Sequence, residues 1–169
     1  MINDIELLEK EKEEIKEYQF LTQKPYFCLI NINGKTKFEK LEFPHLEMNL
    51  KEEEEMLELS QKEKNELGLK SKVEKLIEKC YKILNLITFY TIAGGKEARA
   101  WTLKEGSFVT EAGGIVHSDF QKKFIRAEVI SFEDFLKIGS WQKAKELGML
   151  KIVGKDYKVK DGEIIEFKI

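Results

Sequence analysis

The chain has 169 residues, room for one ordinary domain or two small ones, and no apolar run in it approaches the roughly 20 residues that span a bilayer. Hydrophobic residues make up 42% and charged residues 36%, so a packed core is within reach and long solvated helices are expected beside it. The formal net charge of −2 gives no whole-chain argument for nucleic acid, but it is uneven: Met1–Asn85 carries 15 Lys+Arg against 19 Asp+Glu (−4), and Leu86–Ile169 carries 14 against 12 (+2).

Residues 3–19 carry helical apolar spacing, with Asn3 as a candidate cap, and the acidic start does not resemble a signal peptide. Gln23-Lys24-Pro25 ends that helix. Tyr26–Ile32 reads as a buried strand closed by Asn33-Gly34, and an exposed edge there would favour self-association. Thr36–Phe43 is a poorly periodic second strand. Asn49–Lys62 reads as a charged helix whose Glu52–Glu55 run is a solvated face. Leu69–Leu84 is a cleaner helix with a capping-box pattern, Ser71 followed by Glu74.

The pattern then turns to strands. Leu86–Ile92 and Glu97–Leu103 form a hairpin about Ala93–Lys96. Thr110–Val116 is a short helix weakened by Gly113-Gly114. Phe124–Ile130 is a third strand, and Ser131 with Asp134 signals a helix start. Trp141–Leu147 is helical. Leu150–Val153, Tyr157–Val159 and Glu163–Ile169 are short strands, the last two joined by Asp161-Gly162 as a closing hairpin. The order predicts an α+β fold with one mixed sheet.

Chemistry-bearing residues are few. His117 has Asp119 two positions away, which suits a hydrogen-bonding or capping role; the only other histidine is His45, and no nucleophile or further ligand accompanies the pair. Cys28 and Cys80 form no CxxC pair, so neither a zinc site nor a disulfide framework is indicated. Lys122, Lys123 and Arg126 surround Phe120 and Phe124, a mixture that pairs phosphates and stacks bases, unless the Phe residues are core. Arg99 and Trp101 alternate on the second strand. No Gly-x-x-x-x-Gly-Lys-Ser/Thr phosphate loop occurs, so the chain lacks the groups that hold nucleotide phosphates and Mg²⁺.

Three ordered runs, LNLITFYTIAGGKEARAWTLKEG, EAGGIVHSDFQKKFIRAEVISFEDF and GKDYKVKDGEIIEF, resemble the C-terminal TGS domain of the Obg-like ATPase (YchF) family. The resemblance implies a β-grasp fold over 85–169 with a mixed sheet wrapped around a helix. FLTQKPYFCLININ is similar to the family's passage into its base-recognition motif Asn-x-x-Glu, which places Asn31 and Ile32 at a vestigial base site, with Gly34 at the glutamate position. FPHLEMNL resembles the next nucleotide loop, with Phe43-Pro44 at its usual Ser-Ala pair. Residues 1–84 are then a helical segment with a remnant of a nucleotide-binding domain. Met1 falls where the family's helical arm returns to that domain, so the expectation is a truncated member, half of a split protein or a degenerate paralogue.

The resemblance implies a cytoplasmic binding module that docks to the ribosome or RNA through His117, Lys122, Lys123, Arg126 and Arg99. It implies ATP and Mg²⁺ in the intact family and no cofactor for this chain alone. Two alternatives stay open. The chain is the C-terminal part of an ATP-hydrolysing protein whose phosphate loop lies in another segment or chain, or it is an adaptor that binds a partner protein through helices within 47–84.

Overall fold

Short-range caps and strand alternation organise the residues described by the computed structural model, 8–21, 24–33, 41–93 and 97–169. The chain divides into two compact units, Met1–Leu84 and Asn85–Ile169. Asn3, most of the expected strand 36–43 and the turn at Gly94–Lys96 lie outside the described residues.

In the first unit, α1 spans Glu9–Lys16 and begins where the Glu11 carboxylate accepts from the Leu8 N–H at 2.8 Å. Strands β1 (Cys28–Asn31) and β2 (His45–Met48) pair in parallel, with Cys28 opposite His45 and Asn31 opposite Met48. Asn49 then caps α2 (Leu50–Leu57) by accepting from the Glu52 N–H, and Glu52 and Glu53 in the first turn complement the helix dipole. Met48 and Met56 are buried.

Two expectations for this unit are corrected. The charged stretch 49–62 is not one helix: it breaks at Glu58–Ser60, and Ser60 starts α3 (Gln61–Glu66) with a reciprocal capping box to Glu63. The capping box expected at Ser71 and Glu74 does not form. Helix α4 spans Val73–Ile83, Lys72 takes the cap position, and the Ser71 hydroxyl donates to Glu53 while accepting from the Val73 N–H.

In the second unit, β3 (Leu86–Ala93) and β4 (Glu97–Lys104) form the expected antiparallel hairpin, Phe89 opposite Trp101. Helix α5 (Val109–Val116) follows, then α6 (Ser118–Lys122), which the sequence reading missed, and β5 (Arg126–Ser131). Ser131 caps α7 (Phe132–Ile138), and bonds from the Ser131 hydroxyl and Lys137 hold the Asp134 carboxyl below its usual range. Helix α8 (Trp141–Glu146), β6 (Lys151–Val153) and β7 (Glu163–Lys168) complete the unit.

The five strands lie in the order β4-β3-β7-β5-β6, with β7 parallel to β3 and antiparallel to β5. This is a mixed β-grasp sheet. It also corrects the closing hairpin: Tyr157–Val159 contributes only a bridge, Phe108 to Lys158, and β7 inserts at the centre of the sheet. Asp161-Gly162 docks β7 rather than turning it back, since Asp161 Oδ1 accepts from the Thr88 N–H and the Gly162 N–H donates to the Thr88 carbonyl, both at 2.8 Å.

Alternation along β7 buries both sheet faces. Ile165 and Phe167 join Phe89, Leu103, Val109, Ala112 and Val129 in one cluster; Ile164 joins Ile92, Ile130, Trp141 and Ala144 in another. The α5–α6 junction is tight. A Cβ on Gly113 would sit 3.2 Å from the Phe120 Cβ and 3.3 Å from the Phe167 ring. The glycines that weaken α5 as a helix therefore admit α6 against it.

Candidate functional site

The residues singled out in the sequence fall in two places, one in each unit. In the first, a cleft of about 310 Å³ opens at the C-terminal ends of the parallel strands and is lined by Asn31, Ile32, Asn33, Asn49 and Lys51. Ligands commonly bind outside the carboxyl ends of parallel strands, where loops diverge toward helix starts. The Ile32 N–H donates to the Met48 carbonyl at 3.0 Å. Asn31 Oδ1 accepts from the Leu50 N–H at 3.1 Å, which fixes the side chain and turns its amide NH₂ to other partners. Phe43-Pro44, expected at this loop, instead leads into β2, where the Pro44 carbonyl accepts from the Cys28 N–H at 2.9 Å. The residues that reach the cleft after β2 are Asn49 and Lys51. Gly34 lies outside the described residues.

In the second unit, His117, Lys122 and Lys123 stand at the two ends of α6, which follows α5, while Arg126 begins β5 on the sheet face opposite α5. His117 ends α5 and caps α6, its Nδ1 accepting from the Asp119 N–H at 3.2 Å. In the neutral ring this places the proton on Nε2. Lys122 is exposed, and Lys123 forms an exposed pair with Asp119 at 3.5 Å, the kind of contact that contributes little and yields readily to another anion. Arg126 is exposed at the start of β5.

Arg99 is not brought to these residues. It lies on β4, three strand positions from β5, which is about 14 Å at ordinary strand spacing. Two residues before Trp101, it shares the face that carries α5, whereas Arg126 shares the opposite face with Ile130. It pairs with Glu97 at 3.6 Å.

The aromatic residues of this region are core. Phe124 is buried, Phe120 packs on Phe167 with ring centroids 5.4 Å apart, and the Trp101 indole donates to Thr91 Oγ1 at 2.9 Å. The α5–α6 end therefore offers charge and a histidine but no stacking ring. Elsewhere in the unit, the Tyr157 hydroxyl donates to the buried Glu163 carboxylate at 2.5 Å. Burial first, then that carboxylate, push the phenol well above its usual range.

Residues 86–169 match the profile of the YchF-GTPase C-terminal family, described as a protein of unknown function. The chain belongs to the YchF family. It is 39% identical to the ribosome-binding ATPase YchF of Haemophilus influenzae, over 99% of this chain and 51% of that protein. It is 40% identical to the one of Escherichia coli O157:H7, over 99% and 50%, and 36% identical to the one of Bacillus subtilis, over 97% and 50%. The structure of the Schizosaccharomyces pombe YchF GTPase superposes on 99% of this chain and 49% of its own, with a TM-score of 0.85 at 26% identity. The chain thus spans about half the length of the curated YchF relatives it matches, and the part it matches in the fungal YchF carries the same fold.

The family implies ATP and Mg²⁺, and the donor set here does not fit them together. The Asn31 cleft offers amides and one lysine. Among the described residues no group of three His, Cys, Asp or Glu could hold a metal, and the sequence has no phosphate loop. Among the described residues no helix is long and apolar enough to cross a membrane.

Proposed function

We propose that residues 85–169 form a TGS-like docking module by which a YchF-type protein engages the ribosome in the cytoplasm, and that this chain alone does not hydrolyse nucleotide. The observation that carries the reading is the exposure of His117, Lys122 and Lys123 at the ends of α6 and of Arg126 at the start of β5, in a chain similar to relatives named for ribosome binding. Arg99 would make a separate contact on the β4 face. Phosphate-rich RNA is the partner such a group suits, since lysine and arginine supply the sequence-independent part of RNA affinity.

Co-sedimentation of the purified chain with ribosomes across a salt series tests it. Binding that weakens with salt and is lost in a Lys122→Ala/Lys123→Ala/Arg126→Ala variant is expected. Binding unchanged in that variant would remove the proposed surface.

A second reading rests on the parallel β1–β2 pair and its cleft. Residues 1–84 would be the end of a nucleotide-binding domain, and the phosphate loop would come from another segment or chain. Residues 25–50 would then supply the base end of the site through Asn31 and Ile32. Equilibrium dialysis with labelled ATP discriminates the two: Mg²⁺-dependent binding by this chain alone contradicts the loss of the phosphate site, and binding only after adding the N-terminal part of a relative supports the split arrangement.

A further inference from the structure

At the other end of α5 the chain builds a second exposed surface. Ser107–Val109 runs antiparallel to Tyr157–Val159: the Val109 N–H donates to the Tyr157 carbonyl at 2.8 Å, and the Val159 N–H donates to the Ser107 carbonyl at 3.1 Å. Val109 and Val159 point into the core, and the bridge partners Phe108 and Lys158 are left outward. Phe108 stays 41% exposed, with the Lys158 ammonium 5.9 Å from its ring centroid. Beside them the Lys151 ammonium stands 4.5 Å from the Tyr157 ring. Between residues 151 and 160 four exposed lysines (151, 155, 158, 160) face one acid, Asp156.

These features favour one partner chemistry. Lysines held over ring faces keep their charge at the rim of an aromatic platform. The exposed Phe108 ring gains from being covered by another flat π system, and the lysines gain from anions spaced along a chain. A duplex would engage the charges and leave the ring bare, because its bases are stacked away. An acidic peptide would satisfy the lysines alone. Single-stranded RNA supplies both a base face and a phosphate next to it.

We infer that this surface clasps a single-stranded RNA segment, with Phe108 stacking on a base and Lys151, Lys155 and Lys158 pairing with phosphates. The inference rests on the ribosome-docking reading for its class of partner, but it assigns the contact to residues that reading does not use.

Fluorescence anisotropy of the full chain with a labelled single-stranded RNA of about 12 nucleotides, within the range one small domain covers, tests it. Phe108→Ala is expected to weaken binding about tenfold without changing its salt slope, and Phe108→Tyr to restore it. The Lys151→Ala/Lys155→Ala/Lys158→Ala variant is expected to lower the slope of log affinity against log salt by about 2. Parental affinity in either variant overturns the inference. So does tighter binding of a duplex of equal length, or equal sensitivity to Phe108→Ala with heparin, a polyanion without bases. All four positions are exposed, and a melting temperature matching the parent certifies the fold. If ribosome binding is lost on changing Lys122, Lys123 and Arg126 while the loop variants bind RNA normally, the docking reading stands and this inference falls.

Discussion

One oxygen of the Glu53 carboxylate accepts the Ser71 hydroxyl at 2.6 Å, and the other accepts the Lys72 backbone N–H at 2.7 Å, so a side chain from α2 caps the start of α4 from eighteen residues away. The cap satisfies a donor that α4 leaves unpaired and sets a negative charge at its positive end. Glu53→Ala is expected to cost about 1–2 kcal/mol. The neighbouring exposed Glu54→Ala is expected to stay within about 0.5 kcal/mol. Amide exchange locates the effect: protection should fall in the first turn of α4 for the first variant only. Equal loss in both would mean that the carboxylate is merely part of a solvated face.

Gly113 and Gly114 are adjacent in α5 but should respond in opposite directions to alanine. Alanine gains helix propensity of about 1 kcal/mol at either position. At Gly113 the new methyl meets the Phe120 backbone and the Phe167 ring at 3.3 Å, inside a packed core that cannot yield cheaply. At Gly114 the nearest atom, at 2.8 Å, is the end of the Gln121 side chain, which can swing away. Urea denaturation should show Gly113→Ala less stable than the parent by about 1–2 kcal/mol and Gly114→Ala equal to it or more stable. A stable Gly113→Ala would show that α6 does not depend on close approach to α5.

Tyr157 ties the loop before β7 to the buried Glu163 carboxylate, and its phenol titrates above its ordinary value. A group whose folded pKa is raised stabilises the fold below its unfolded pKa, near 10 for tyrosine, and that contribution is lost as pH rises toward the folded value. Stability should therefore fall above about pH 10, and Tyr157→Phe should flatten that part of the profile while lowering stability at neutral pH. Absorbance of tyrosinate, followed beside urea midpoints, gives both quantities. A Tyr157→Phe profile parallel to the parent above pH 10 would deny the pair this role.

Legibility in the sequence followed the range of the interaction. Strands β3, β4 and β5 and the start of α7 are readable because alternation and the Ser131–Asp134 cap are local signals. The capping box at Ser60–Glu63 is local as well but lies inside a charged run that imitates a longer helix. The one read at Ser71 and Glu74 fails because Glu53 reaches Ser71 first. The final strand is misplaced as a hairpin because its partners, β3 and β5, lie far back in the chain, and nothing near Glu163 specifies them. The sites follow the same rule. Asn31 and Ile32 are reached only through the resemblance to the family's base motif, and Asn49 and Lys51 join them through the parallel register that sets Asn31 beside Met48. Arg99 and Arg126 look equivalent until the strand order puts them on opposite faces of the sheet.

The two units should differ in stability. Among the described residues of the first, only Met48 and Met56 are buried apolar side chains, and Ile77, Leu57 and Leu67 are more than half exposed. Its sheet has two strands, a size that is marginal without further cover. The second unit buries both faces of a five-stranded sheet, with Phe89, Val109 and Ile165 fully enclosed. Hydrophobic burial is the main favourable contribution to folding, so the first unit should open at lower free energy. Hydrogen exchange should find amides of β1 and β2 exchanging through local openings, while those of β7 and β5 exchange only through global unfolding. Limited proteolysis should cut within residues 1–84 first and leave a resistant fragment that begins near Asn85. Matching protection in β1 and β7 would instead require the two units to unfold as one.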